Sequence, residues 1–336
     1  ITLIVIFAGF LGYMTINDYR PAKIEHLDFQ GQGVRLTEPD TLDIITWNIG
    51  YCGLGKEQDF FFDGGKGVRP DKADQERYLH GVLEQVGQMH GIDFILLQEV
   101  DRRSKRSYFV DQIPLIAAKL ENYVAGFAYN YKSAFVPQPV TKPYGRAEAG
   151  LMTLSKYQPA SSQRYALAAD ASWPVGLFML KRCFMTFRYP LDEGKELVVV
   201  NQHMSAYDDG TVKEQQMDTL KKFLLNEYNK GNYVITGGDW NQFPPSFHPL
   251  LSGKDGVVAM NVETDFPAEG WQWVSDQTHM TNRKLDMPYR EGQTDAVVID
   301  YFLLSPNLVP VEVNVWDFGF ENSDHQPVYL RFALRK

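Results

Sequence analysis

Six places in the chain set a reactive polar side chain against an apolar run of strand length. They are Asn48 in ITWNIG, Glu99 in FILLQEV, His203 in VVVNQH, Asp239 with Asn241 in GGDWNQFP, Asp300 in VVIDYFLLS, and Asp324 with His325 in NSDHQPV. One carboxylate beside a buried strand signifies little, because strands commonly end in polar turns. Six such places imply a single polar cleft at one edge of the sheets, and a site carried on strand ends is rigid.

The residue types restrict the chemistry. Carboxylate and amide oxygens from Glu99, Asn48 and Asp324, with no cysteine or histidine cluster beside them, suit a hard cation such as Mg²⁺, with Mn²⁺ as the alternative. His203 and His325 are suited to hydrogen-bonding phosphoryl oxygens or exchanging protons. Asp239 is placed to orient and deprotonate a water, and Asp300 to hold His325 in one tautomer, as in a catalytic triad. No Ser or Cys nucleophile stands in an elbow. Direct attack of water on a metal-bound phosphate ester is the economical mechanism. Asp239 and Asn241 are expected on one side of an extended segment, with Trp240 turned into packing. The Gly237-Gly238 pair is expected to allow close approach of backbone or substrate.

The elements that must position these groups follow from periodicity. LDIITWNIG, IDFILLQEV, KELVVVNQH, YVITGGDWN, AVVIDYFLLS and PVYLRFAL read as strands, several apolar throughout and so buried on both faces. Between them, Tyr78, Leu79, Val82, Leu83, Val86 and Met89 form one helical stripe, with Asp71 or Asp74 as N-cap and Gly91 as stop. Met217, Leu220, Leu224 and Tyr228 form another that closes at Gly231. So many strands exceed one doubly wound sheet. Two packed sheets with helices outside are expected.

In this order, W-N, Q-E, N-x-H, G-D-x-N, I-D-Y and S-D-H resemble the endonuclease/exonuclease/phosphatase superfamily, from Asp43 to about Phe332. That superfamily includes DNase I-like nucleases, abasic-site endonucleases, inositol-phosphate phosphatases and neutral sphingomyelinases. The resemblance implies an α/β four-layer sandwich, two packed mixed β-sheets flanked by helices. It implies Glu99 as principal metal ligand, Asn48 holding metal or water, and Asp324 beside the metal. Asp239 would position the attacking water, and Asn241 would contact the phosphate. His203 and His325 would stabilise developing charge, with Asp300 paired to His325. YGRAEAGLMTLSKYQP resembles the family strand written G-x-A-I-L-S-R, but Leu151 and Met152 replace its usual polar-small pair. Tyr144 and Arg146 there are candidate phosphate contacts, as is Arg283 in TNRK.

Composition bears on the substrate. The chain has 336 residues and a net charge of −9, which weighs against non-specific nucleic-acid binding. Cys52 and Cys183 are expected as buried thiols. The run from Ile1 to Ile16 has no charge, and Asp18 and Arg20 end it. It is read as a membrane anchor or signal-type segment over residues 1–17; the chain opens on Ile, so a start further upstream is expected. No small-x-small cleavage site follows, which favours a signal anchor over a secreted, cleaved form. Residues 18–40 read as a linker with one edge strand, and residues 41–336 as the catalytic domain. Phe60, Phe61 and Phe62 in a Gly-rich loop are expected to be partly exposed. The expected protein is a membrane-anchored, extracytoplasmic phosphoesterase of lipid head groups or small molecules. A nuclease is the alternative, and a non-catalytic binding module the reading from another class. No protein partner is implied.

Overall fold

The computed structural model describes residues 2–37, 40–169, 171–206, 210–249 and 260–335. Its helices are α1 (Thr2–Ile16), α2 (Lys72–Gln88), α3 (Gln112–Ala117) and α4 (Thr211–Asn229). The first eight strands are β1 (Ile24–His26), β2 (Phe29–Gln30), β3 (Leu42–Asn48), β4 (Phe94–Asp101), β5 (Val124–Val136), β6 (Gly145–Ser155), β7 (Ser161–Ala166) and β8 (Cys183–Pro190). The others are β9 (Glu196–His203), β10 (Tyr233–Asp239), β11 (Gln272–Val274), β12 (Asn282–Arg283), β13 (Ala296–Val297), β14 (Asp300–Leu304), β15 (Leu308–Val315) and β16 (Val328–Leu334).

Two seven-stranded sheets run β1-β7-β8-β9-β10-β14-β11 and β15-β16-β3-β4-β6-β5-β2, beside a β12-β13 ribbon. Both are mixed, because β3/β4 and β9/β10 pair in parallel and their other neighbours antiparallel. Alternation along each strand builds the layers. Ile44, Leu96, Val199 and Ile235 face inward to a core shared by the sheets. Ile45, Leu97, Val82 and Val86 form an outer cluster with α2 and α3. Val198, Val200, Leu220 and Leu224 form the opposite one with α4. Asp71 caps α2, accepting from the Asp74 N–H at 2.9 Å, and Gly91 takes φ +107° just beyond that helix. Both cysteines are free and buried.

The N-terminal portion differs from a simple tether. Within the expected linker, β1 and β2 are edge strands, one on each sheet. Helix α1 has 15 residues, or about 22 Å at 1.5 Å per residue, short of the roughly 30 Å of a bilayer core. Among the described residues no helix is long and apolar enough to cross a membrane. The helix rests by its second half on the body, with Phe10 stacked on Phe178 and Met14 buried. Its first half, Leu3 to Phe7, stands exposed.

Candidate active site

Asp239 is where the strands and loops of the cleft meet. It ends β10; its parallel neighbour β9 ends on His203 and its antiparallel neighbour β14 begins on Asp300, both in direct register with it. Register alone sets the three side by side. His203 Nε2 lies 3.3 Å from Asp239 Oδ2. Asn48 Nδ2, from the facing sheet, donates to that oxygen at 3.1 Å. The Asn241 backbone N–H donates to Oδ1 at 2.9 Å.

His325 enters on the loop before β16. Its Nδ1 is 2.8 Å from Asp300 Oδ2. Its Nε2 is 3.8 Å from both Asp239 Oδ2 and Asp324 Oδ2, and 3.0 Å from Asn282 Nδ2. Trp47 Nε1 donates to the His325 carbonyl at 3.0 Å, and Ser323 Oγ to the Asn48 carbonyl at 2.9 Å. Those bonds pin the loop to β3. Gly50, at φ +50°, lets the chain turn beside Asp324, where a Cβ would stand 2.6 Å from Oδ1.

Burial and neighbours separate the charges. Burial, then the charges of Arg182, His325 and Arg106, push His203 well below the ordinary histidine value, so it is neutral. Burial also opposes charging of His325, but Asp300, Asp324 and Asp239 outweigh it and hold that imidazolium up to about 10. Burial and the Asp300 charge lift Asp239 to about 7, against the pull of His325, Asn48 and the Asn241 N–H. A carboxylate poised near 7 is matched to base catalysis at neutral pH. The cleft thus holds one neutral histidine, one cationic histidine and one base.

The candidate oxygen donors for a metal are Glu99 and Asp324, with Asn48. Glu99 sits in a bulge of β4, where register shifts between Leu97 and Val100, and takes φ +55°. Its side chain is 27% exposed, with Oε2 3.4 Å from Arg106 Nη1. Burial raises Asp324 to about 6, with Glu99 repulsion adding and the His325 and Arg283 charges subtracting. Two carboxylates that repel across a cleft, with the Asn48 amide beside them, fit a hard divalent cation. Asp239, Asp300 and His325 also present ligand atoms within 4.8 Å of one another. In that trio, however, His325 and Asp300 already spend a nitrogen and an oxygen on each other. We read it as the proton-handling half of the site.

Several expected contacts are placed differently. Arg283 is buried, and its Nη2 donates to the carbonyls of Leu54, Gly55 and Gln58 at 2.8–3.2 Å. It fastens a loop and offers those donors to no substrate. Arg146 is half-exposed and paired with Glu148. Tyr144 is buried, its hydroxyl accepting from Arg106 Nη1 at 2.7 Å. Asn241 does lie beside Asp239, but for another reason than strand alternation. The strand ends at Asp239, and Asn241 turns back at φ +49° with its Nδ2 donating to the Met204 carbonyl at 3.0 Å. Trp240 is buried as expected. Gly238 serves backbone packing, since a Cβ there would meet the Gln202 carbonyl oxygen at 2.0 Å. Phe60 and Phe61 pack toward Tyr144 while Phe62 is 51% exposed.

Sequence reasoning missed Arg106 and Asn282. Arg106 is buried, holds Asp101 through Nε and Nη2 at 2.8–3.1 Å, stacks 3.8 Å over Tyr51, and lies 3.4 Å from Glu99. Its signal was the aspartate two residues after Glu99, a buried charge in need of a partner. Asn282 carries no signal beyond its neighbour Arg283.

Comparisons with known proteins bear on the fold. Among solved structures, an endonuclease/exonuclease/phosphatase from Beutenbergia cavernae superposes with a TM-score of 0.58 at 17% identity, covering 88% of this chain and 72% of that one. The 2',3'-cyclic phosphatase ANGEL2 gives 0.57 at 13% identity over 93% and 99%. The human Nocturnin catalytic domain gives 0.52 at 16% identity over 92% and 97%. Two UPF0294 proteins from Vibrio cholerae serotype O1 strains are 27% identical over 191 residues, 55% of this chain and 55% of each. The chain thus spans about half the length of the curated relatives it matches. The model of the endonuclease/exonuclease/phosphatase family matches residues 45–325, from β3 to His325, and the chain therefore belongs to this family.

Proposed function

We propose that the protein hydrolyses lipid head-group or small-molecule phosphoesters at a membrane, by direct attack of water at phosphorus, with Mg²⁺ as its metal. The observation that carries the reaction is the split of charge around Asp239. Asp239 takes the proton of the attacking water, and Asn48 and the Asn241 N–H hold its carboxylate in place. His325, kept cationic by Asp300, faces the charge that develops on the phosphoryl oxygens. Neutral His203 stands against Asp239, its Nε2 3.3 Å from Oδ2. Glu99, Asn48 and Asp324 would hold the metal, which when bound supplies Lewis-acid polarisation of the ester.

Support for a membrane substrate comes from α1. It has no polar face, and Leu3, Ile4, Val5, Ile6 and Phe7 are each more than 60% exposed. Trp173 and Val175 extend this surface, the Trp173 Nε1 donating to Thr15 Oγ1 at 3.1 Å. A helix apolar on all sides is at home in lipid. This reading makes α1 a membrane attachment that keeps the catalytic domain on the extracytoplasmic side.

The test is turnover of sphingomyelin, inositol phosphates and plasmid DNA with Mg²⁺ and with EDTA, alongside carbonate extraction of the full chain. Hydrolysis of a lipid or small-molecule ester, lost in EDTA, with carbonate-resistant pelleting is expected. Cleavage of DNA alone would make the protein a nuclease, and release by carbonate would remove the membrane attachment.

A further inference from the structure

Four arginines are buried among the described residues. Arg106 is held by Asp101 and Tyr144, Arg164 by the carbonyls of Tyr129 and Lys181, and Arg283 by loop carbonyls. Arg182 is 6% exposed, and its buried Nε and Nη1 have no hydrogen-bond partner. Among the described residues no carboxylate stands within ion-pairing distance of it. A guanidinium stays protonated in any protein setting. Leaving one buried and unpaired is costly.

Its location gives that cost a purpose. Arg182 immediately precedes β8, whose Phe184 pairs with Gln202 of β9, so it stands beside the strand end that carries His203. The preceding N–H, of Lys181, donates to the Asn130 carbonyl of β5 at 2.7 Å. This stretch therefore bridges the two sheets across the edge that bears the cleft. The Arg182 charge is, after burial, the strongest influence keeping His203 neutral, so the two side chains are within electrostatic reach.

We propose that Arg182 is the substrate-phosphate anchor of the cleft, its guanidinium receiving a non-bridging anionic oxygen of the phosphoester. This rests on the phosphoesterase reading above. The planar fork of arginine matches phosphate oxygens with paired hydrogen bonds. Arg146, Arg283 and Tyr144, the donors expected from sequence, are committed elsewhere. Arg182 takes the task they leave open.

The test compares wild type, Arg182→Gln and Arg182→Lys in full-length protein. It reads melting temperature, Mg²⁺ affinity, calorimetric binding of inorganic phosphate, and the kinetics of bis(p-nitrophenyl) phosphate. Arg182→Gln is expected to keep Mg²⁺ affinity, weaken phosphate at least tenfold, and raise KM more than it lowers kcat. Arg182→Lys should recover part of the loss. A folded Arg182→Gln protein with phosphate affinity and KM within twofold of wild type would overturn the proposal. If Arg182→Gln fails to fold, a vanadate-soaked crystal of the wild type decides: an anion within hydrogen-bond reach of Arg182 supports it, and one bound elsewhere defeats it. Wild type that binds phosphate through Arg182 yet hydrolyses no ester supports the anchor and sinks the phosphoesterase reading instead.

Discussion

Two histidines share one buried cleft and carry different charges because their neighbours differ. His325 faces Asp300, Asp324 and Asp239, whereas His203 feels Arg182, Arg106 and His325 itself. Asp300→Asn removes the first carboxylate from His325, so the imidazolium loses its proton at lower pH. If the cation is the working form, activity falls as pH rises through its pKa, and the alkaline limb must move to lower pH in the variant. The maximal rate should drop about 100-fold or more, in the range of lost acid–base or oxyanion partners. His325→Ala should cost at least as much, and the double variant little more, since residues acting as a unit are non-additive. Rate–pH profiles of the three variants check this, and additive losses would separate the two residues. Glu99→Gln should preserve the fold and weaken Mg²⁺ binding at least tenfold by calorimetry, because an amide is a poorer ligand than a carboxylate. Unchanged Mg²⁺ affinity would remove Glu99 from the metal.

At the scale of elements, strand pairing does most of the positioning. His203, Asp239 and Asp300 are adjacent because β9, β10 and β14 are in register, and that register depends on Gly238. Gly238→Ala would drive its Cβ into the Gln202 backbone, forcing β9 and β10 apart. Overpacking of this kind costs about 1–3 kcal/mol or more. Melting temperature and kcat should fall together, while Gly87→Ala on α2, where nothing lies within 4 Å of the added carbon, should be neutral or slightly stabilising. A Gly238→Ala protein as stable and active as wild type would disprove this account. The same contrast explains how much was readable in advance. Apolar runs ending in Asn48, His203 and Asp239 announce buried strands, so those site residues were legible from order and type. Asp300 is a legible candidate too, although it begins its strand and comes beside Asp239 only because β14 runs antiparallel to β10. The strands β5, β7, β8 and β15 mix polar and apolar residues without long apolar runs and gave little signal. Arg146 and Arg283 look alike in sequence, and only tertiary contacts show that one pairs with Glu148 and the other binds carbonyls. Arg182 stood unremarked in KRCFMTF for the same reason.

For the whole molecule, the buried carboxylates link metal, pH and stability. Asp239 and Asp324 have native-state values lifted to about 7 and about 6. A carboxyl raised above its unfolded value of about 3.9 stabilises the native state while protonated, and that contribution is lost as pH rises through the raised value. Metal-free protein is therefore penalised by these two groups between about pH 4 and 7. His203, buried and neutral, acts with the opposite sign, because the native state resists its protonation as pH falls below about 6.5. His325, raised from about 6.5 to about 10, contributes fully below pH 6.5, and that contribution declines as pH rises from there towards 10. A plain stability–pH curve would blend these terms, but the difference with and without Mg²⁺ isolates the cation's effect, because Mg²⁺ needs the deprotonated carboxylates. The increment from saturating Mg²⁺ should be small at pH 5 and grow toward pH 8. At a hundredfold excess over Kd it would reach about 2.7 kcal/mol, a rise of several degrees in Tm by differential scanning calorimetry. Asp324→Asn should flatten that growth by removing a repelling carboxylate and a metal oxygen together. An increment that is the same at pH 5 and pH 8 would mean that Mg²⁺ binds away from this cluster.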